Sequence, residues 1–106
     1  MNSVRVANLD GALAPTPGAS MQQITVSNAV KQLSALSAQT HAVKITVASQ
    51  AIRVTFDGTD PVGGTTGHYY AANASDVWSK AAATAAKMIR DGGSDGAISV
   101  TEMTLA

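Results

Sequence analysis

The sequence has no cysteine, few charges and few aromatic residues. Without cysteine the chain can form no disulfide, no thiolate nucleophile and no Cys-based zinc or iron–sulfur site. Lys plus Arg number 7 and Asp plus Glu number 7 among 106 residues, so the formal net charge is zero. A neutral balance gives no electrostatic reason to bind nucleic acid or an anionic membrane, and we expect neither as a partner.

Residues for catalysis or metal binding are also scarce. His41 and His68 have no His or Glu at a metal-ligand spacing. The Asp-containing turns at residues 57–60 and 91–96 lack the bidentate Glu of a calcium loop, and no Gly-x-Ser-x-Gly elbow is present. We therefore expect a non-enzymatic protein with no catalytic residue, no cofactor and no metal. A pocket that joined His68 to an Asp would favour an enzyme instead.

The apolar content is high but consists largely of alanine. The hydrophobic fraction is 45%, and 20 of these residues are Ala, whereas Val, Ile, Leu and Phe together number 21. Charged residues make up 13%, about half the usual share. Such a chain builds a sparse core, and its surface suits a protein that stays covered. We infer that neighbouring subunits supply part of its stability and expect a homo-oligomer.

The chain divides into an arm, residues 1–20, and one domain, residues 21–106. Pro15, Pro17 and Gly18 impose an extended path on the arm. No apolar run is long enough for a signal peptide or a membrane-spanning helix, so the expected compartment is a cytoplasm.

Period-two alternation predicts most of the domain as β-structure. Residues 23–27, 42–47, 51–56 and 97–103 alternate, and residues 67–72 and 76–79 are shorter candidates. The second and third of these predict an antiparallel hairpin, because only a short connection separates them. In the last strand Ile98, Val100 and either Met103 or Leu105 are expected to face inward. Residues 28–36 read as a loop or a short helical turn.

Residues 81–89 are the one helix candidate, because alanine is the best helix former, although Met88 and Ile89 could equally begin a strand. Trp78 is expected to anchor the core or an interface. The fold class predicted is mainly β: a small antiparallel β-sandwich or jelly-roll-like barrel with an extended N-terminal arm and at most one short helix.

One stretch carries a resemblance to a known class of protein. The sequence from Ile52 to Pro61 continues through a Gly/Thr loop to Gly67-His68, and an Asp-rich turn at Asp91 leads into a final alternating strand. Over roughly residues 43–102 this resembles small virion structural proteins of tailed bacteriophages, of the capsid decoration or cement kind. The arm and the Ala-rich run at 81–88 have no counterpart in that pattern.

The resemblance implies a decoration subunit that binds the major capsid protein or other virion subunits and stabilises the head. It implies a virion location after assembly in the host cytoplasm, and it favours a trimer. The arm residues Val4, Val6, Leu9 and Leu13 would bind a partner by adding a strand to a neighbouring sheet edge.

Two alternatives remain open: a neck, tail or fibre-base component, and a carbohydrate-binding module on the virion surface. The second would use Tyr69, Tyr70 and Trp78 as surface or interface aromatics. It gains support if Trp78 is exposed in a groove beside Tyr69, and loses support if Trp78 is buried.

Overall fold

The computed structural model describes residues 13–105, which form two antiparallel sheets and one short helix. The strands are β1 (Leu13–Pro15), β2 (Gln22–Val26), β3 (Ala42–Ala48), β4 (Ile52–Thr55), β5 (His68–Tyr70), β6 (Ser75–Ser79), β7 (Lys87–Arg90) and β8 (Gly96–Leu105), and the helix is α1 (Lys80–Ala85). The predicted class, mainly β with two antiparallel sheets and one short helix, is confirmed. The first twelve residues of the predicted arm lie outside the described residues.

β8 organises a five-stranded sheet, because two short strands share one of its edges. β2 pairs with the first half of β8, β1 pairs with its last residues, and β3 and then β6 lie on its other side. Between β1 and β2 the chain leaves the ladder around Gly18, whose φ of 78° suits glycine. β1 falls within the predicted arm but is a strand of this sheet, so the described domain begins at Leu13.

The second sheet has three strands in the order β5, β4, β7. The predicted hairpin between residues 42–47 and 51–56 is therefore wrong, because β3 and β4 lie in different sheets. Ser49, with φ of 72°, lies in the short connection that carries the chain from one sheet to the other. The alternation identified both strands correctly, but it contains no information about which strands pair.

The core lies between the two sheets and consists of side chains on the inward positions of each strand. The alternating residues Val43, Ile45 and Val47 of β3 and Ile52 and Val54 of β4 are fully buried, and Phe56, just after β4, is partly buried. The fully buried side chains include Val43, Ile45, Val47, Ile52, Val54, Met88, Ile98 and Val100. Trp78 is 3% exposed and anchors one side of this core, with Phe56 packed edge-on against it at 5.3 Å between ring centroids.

The inward face of β8 ends on a carboxylate. The expectation that Met103 or Leu105 follows Ile98 and Val100 inward is wrong, because the period-two phase continues to Glu102, which is 7% exposed, whereas Leu105 is 51% exposed. The carboxylate Oε1 of Glu102 accepts hydrogen bonds from the Ser37 backbone N–H at 2.7 Å and from the Thr40 hydroxyl at 2.6 Å. Burial of this acid is possible because both bonds are made by the loop before β3.

The helix is shorter than the sequence predicts. The hydroxyl of Ser79 accepts a hydrogen bond from the Ala82 N–H at 3.1 Å and caps its N-terminus, and the helix ends at Ala85. Met88 and Ile89 lie in β7, which agrees with the alternative that these residues begin a strand. The Met88 side chain is fully buried in the core. No helix within residues 13–105 is long and apolar enough to cross a membrane.

Candidate docking face

The side of the five-stranded sheet that points away from the core is the most distinctive surface of the molecule, and we call it the outer face. The register places Lys44 between Thr101 and Val77, and Thr46 between Ser99 and Ser75. The outer face comprises the odd-numbered residues of β8 from Ala97 to Leu105, the even-numbered residues 44–48 of β3, Ser75, Val77 and Ser79 of β6, Gln23 and Thr25 of β2, and Leu13 and Pro15 of β1.

The outer face is made mainly of small side chains and is almost free of charge. Its central part consists mainly of Ser, Thr and Ala, and Lys44 is its one ionisable side chain. Surfaces in contact with water normally carry about 25–35% charged residues. The sequence analysis missed this face, although its signal was present: the positions that alternate with the core residues of β3 and β8 are small and mostly uncharged.

One end of the outer face contains a shallow groove of about 580 Å³, which we call the β6 groove. It is lined by Leu13, Val77 and Met103 together with Lys44, Ser75 and Asp76. Val77 is 38% exposed although it is a large apolar residue on a sheet surface. The groove therefore combines an apolar floor with one positive side chain, Lys44. The Asp76 side chain is on the other side of β6, with Trp78, and accepts a hydrogen bond from the Tyr70 hydroxyl.

The opposite side of the molecule carries the ion pairs. Within residues 13–105 the three pairs are Arg53 with Asp91 at 2.7 Å, Lys87 with Asp60 at 3.1 Å, and Arg90 with Asp95 at 2.8 Å. Each uses a basic residue of β4 or β7 and an acid of a neighbouring turn. The ion pairs are thus concentrated on the three-stranded side, and the outer face carries a single charge, that of Lys44.

The Asp-containing turns are held by hydrogen bonds from the protein itself. Asp91 accepts bonds from the Arg53 guanidinium and from the Gly64 N–H at 2.9 Å, and these two donors lower the pKa of its carboxyl. Asp57 accepts a bond from the Thr59 N–H at 3.0 Å, and this bond lowers the pKa of Asp57. Among the described residues no three His, Asp or Glu side chains cluster as a metal site would require.

His68 and Asp57 share a second depression of about 360 Å³, whose lining also includes Phe56 and Thr66. This is the arrangement that the sequence analysis named as favouring an enzyme. However, the Asp57 carboxylate is fully exposed and its pKa is lowered, whereas a general base needs a pKa near the working pH. Asp57 is therefore a poor candidate for a general base.

The three aromatic residues named as surface or interface candidates lie in different environments. Tyr69 is 56% exposed, and the guanidinium of Arg53 lies 5.2 Å from its ring centroid. The Tyr70 hydroxyl donates to Asp76 at 2.7 Å and accepts from the Trp78 indole N–H at 3.1 Å. Burial and the neighbouring Asp76 raise the pKa of Tyr70. The surface assignment of Trp78 is wrong and the core alternative holds, so no aromatic platform forms.

Of the predicted partner-binding residues of the arm, only Leu13 is described. Its backbone pairs with Leu105 of the same chain, rather than with a neighbour, and its side chain lines the β6 groove. Val4, Val6 and Leu9 lie outside the described residues.

Comparisons of the chain with protein-family models, with curated proteins and with solved structures found no match. The functional interpretation therefore depends on the geometry of the molecule and on the sequence resemblance given above.

Proposed function

We propose that this protein is a non-enzymatic structural subunit that docks a protein surface through its outer face, and that the surface is the major capsid protein of a virion. The observation that carries the proposal is the partition of charge: three ion pairs lie on the three-stranded side, and a single charge, Lys44, lies on the outer face. A neutral face of small side chains can be covered at little desolvation cost, because few charges lose their water.

The size of the outer face sets the expected strength of this contact. β8 has 10 residues, which at about 3.3 Å per residue gives a length near 33 Å, and four strands at about 4.8 Å give a width near 19 Å. The resulting area of roughly 600 Å² falls short of the roughly 800 Å² per partner that stable interfaces bury. One copy would therefore bind weakly, and a homo-oligomer, with a trimer favoured, would gain strength through avidity.

The competing functions have less support. A carbohydrate-binding module needs exposed aromatic rings in a shared groove, and Trp78 is buried. The depression that contains His68 and Asp57 has an exposed carboxylate of lowered pKa, which argues against acid–base catalysis. The assignment to a virion, and to its head rather than its neck, tail or fibre base, is supported only by the resemblance of residues 43–102.

The number of copies per particle tests the location. We expect quantitative mass spectrometry of purified virions to find hundreds of copies of this chain for each particle. A dozen or fewer copies would indicate a neck or tail component. Absence of the chain from purified particles would refute a virion function altogether.

A charged substitution tests the docking face itself. Thr46 is exposed near the centre of the outer face, and Thr46→Glu would place an unpaired carboxylate in the interface. We expect at least a tenfold loss of affinity for particles, because burying an unpaired charge is costly. The matched control is Ser94→Glu, at an exposed turn away from the outer face, which should leave binding unchanged. Equal binding of both variants would contradict the proposed face.

A further inference from the structure

The side of β6 that points away from β3 is an open edge of the five-stranded sheet, and we call it the β6 edge. Within residues 13–105 β6 pairs with β3 alone, and four of its five residues are exposed. An open edge presents unpaired N–H and C=O groups to any strand that approaches. We propose that the β6 edge pairs with the β6 edge of a second copy of this chain, in antiparallel orientation and centred on Val77.

Hydrogen bonds just beyond the two ends of β6 determine which backbone groups form this edge. The Val47 N–H donates to the Ala74 carbonyl at 2.8 Å, and at the other end the Lys80 N–H donates to the His41 carbonyl at 2.9 Å. Because backbone groups alternate in direction along a strand, the even-numbered residues of β6 turn their N–H and C=O groups toward β3. The odd-numbered residues turn theirs away from β3, and they are Ser75, Val77 and Ser79.

The outward groups are ready to accept another strand. The Val77 N–H is bound only by the side chain of its neighbour, the Asp76 Oδ1 at 2.8 Å. Pairing replaces this local bond with a bond between strands. Asp76 then keeps its second bond, in which the Tyr70 hydroxyl donates to Oδ2 at 2.7 Å.

A second copy of β6 is a complementary partner for this edge. With Val77 opposite the Val77 of the second copy, these two residues exchange two backbone hydrogen bonds, and each Ser79 N–H meets the Ser75 carbonyl of the other copy. The Val77 side chain, 38% exposed, gains an apolar partner across the strands. Asp76 comes opposite Trp78, so no like charges lie directly opposite each other.

The other strands at the margins of the two sheets are short or have neighbours along them. β7 is bordered by residues 27–31, whose Lys31 exchanges two backbone hydrogen bonds with Met88. β5 and β1 have three residues each, and β1 ends on Pro15, and both features discourage pairing. The five residues of β6 include no proline and no lysine, so the β6 edge lacks these protections.

Pairing at the β6 edge would also enlarge the surface available for docking, and this consequence rests on the proposed function. An antiparallel pair of edges has a two-fold axis perpendicular to the sheet, so the outer faces of both copies point the same way. Together they offer about 1,200 Å², twice the area of one copy, which exceeds the roughly 800 Å² per partner of a stable interface. The pairing predicts a dimer, whereas the resemblance favours a trimer.

A lysine at the centre of the edge tests the pairing in the isolated full-length protein. Val77→Lys places two lysines directly opposite each other across the two-fold axis. The matched control is Val30→Lys, because Val30 is also 38% exposed and lies outside β6. Both side chains are exposed, so each variant should keep its fold, which circular dichroism checks.

Sedimentation equilibrium measures the association. We expect a dimer whose dissociation constant rises at least tenfold in Val77→Lys and stays unchanged in Val30→Lys. Equal dissociation constants for the two variants would overturn the inference. A monomer at every concentration measured, or a trimer, would overturn it as well.

Disulfide trapping gives a second test, because the chain has no cysteine of its own. Residues that exchange hydrogen bonds across antiparallel strands have Cα atoms about 5.5 Å apart, within the range that a disulfide spans. Val77→Cys should therefore form disulfide-linked dimers at least tenfold faster than Val30→Cys under mild oxidation. Equal rates would contradict pairing at Val77.

The two proposals fail in different experiments. Association is measured on the isolated protein, whereas docking is measured on particles with Thr46→Glu. A monomeric protein that loses particle binding through Thr46→Glu would overturn the pairing and support the docking face. A dimer that depends on Val77 but is absent from purified particles would support the pairing and refute the virion function.

Discussion

Removal of the buried carboxylate of Glu102 should destabilise the domain more than removal of most surface groups. Its Oε1 accepts two hydrogen bonds, from the Ser37 N–H and the Thr40 hydroxyl. The Thr40 hydroxyl also lies 3.2 Å from that of Thr16. Because Thr40 donates to Glu102, it is Thr16 that donates to Thr40. One carboxylate thus ties β8 to the loop before β3 and, through this relay, to the segment after β1.

The size of the effect follows from the number and kind of these bonds. A hydrogen bond to a charged group contributes about 1.5–3 kcal/mol. In Glu102→Ala the partly buried Ser37 N–H can regain water, and Thr40 keeps its contact with Thr16, so we expect a net loss of about 3 kcal/mol in the free energy of unfolding. At about 4 °C per kcal/mol for a domain of this size, Tm should fall by about 12 °C.

Glu102→Gln is the matched comparison, because the amide oxygen can accept the same two hydrogen bonds without a charge. We expect it to cost about 1 kcal/mol, the difference between charged and neutral bonds. Urea unfolding followed by fluorescence measures both variants, since the sequence has a single Trp and Trp78 is 3% exposed in the fold. A cost below about 1 kcal/mol for Glu102→Ala, or equal costs for the two variants, would refute this account of the carboxylate.

Two further predictions concern the three-stranded side. A Cβ added at Gly63 would lie 2.8 Å from the Arg90 carbonyl oxygen, so Gly63→Ala should cost about 1–3 kcal/mol, whereas Gly92→Ala, with open space around it, should leave urea unfolding almost unchanged. Asp91 has a pKa below its ordinary value of 3.8 because of Arg53, so its stabilising contribution is present above about pH 4 and is lost as the pH falls through the lowered pKa. Asp91→Asn should therefore lower Tm at pH 7, and its difference from the natural protein should shrink as the pH falls below about 4; a difference that does not change with pH would contradict the ion pair.

Four of the eight described strands could be predicted from a clear alternation of apolar and polar residues, whereas β1 lies in the predicted arm and most of β7 in the predicted helix. β2, β3, β4 and β8 all lie where this alternation predicts them. Their pairing could not be predicted, because a period of two fixes which side of a strand is buried and not which neighbour it meets. Ser49, at the corner between β3 and β4, is an ordinary loop residue in the sequence.

The end of β8 shows a second limit of pattern reasoning. The sequence analysis expected Met103 or Leu105 to face inward after Ile98 and Val100, whereas strict alternation along β8 leads to Glu102, a charged residue. The alternation was correct because Ser37 and Thr40, more than sixty residues earlier, supply the donors. A rule about charge therefore needs the partners of that charge, and these are visible only after folding.

The candidate docking face also follows from strand pairing and from the placement of charged residues. The sequence analysis inferred a covered surface from the low charge of the whole protein, but composition alone could not locate it. Folding sorts the few charges: β4 and β7 carry three basic residues opposite the Asp-containing turns, while β3 and β8 present mainly Ser, Thr and Ala outward. The neutral face is therefore a consequence of which strands share a sheet. Any partner that covers it must therefore fit small, mostly uncharged side chains and the groove at Leu13 and Val77.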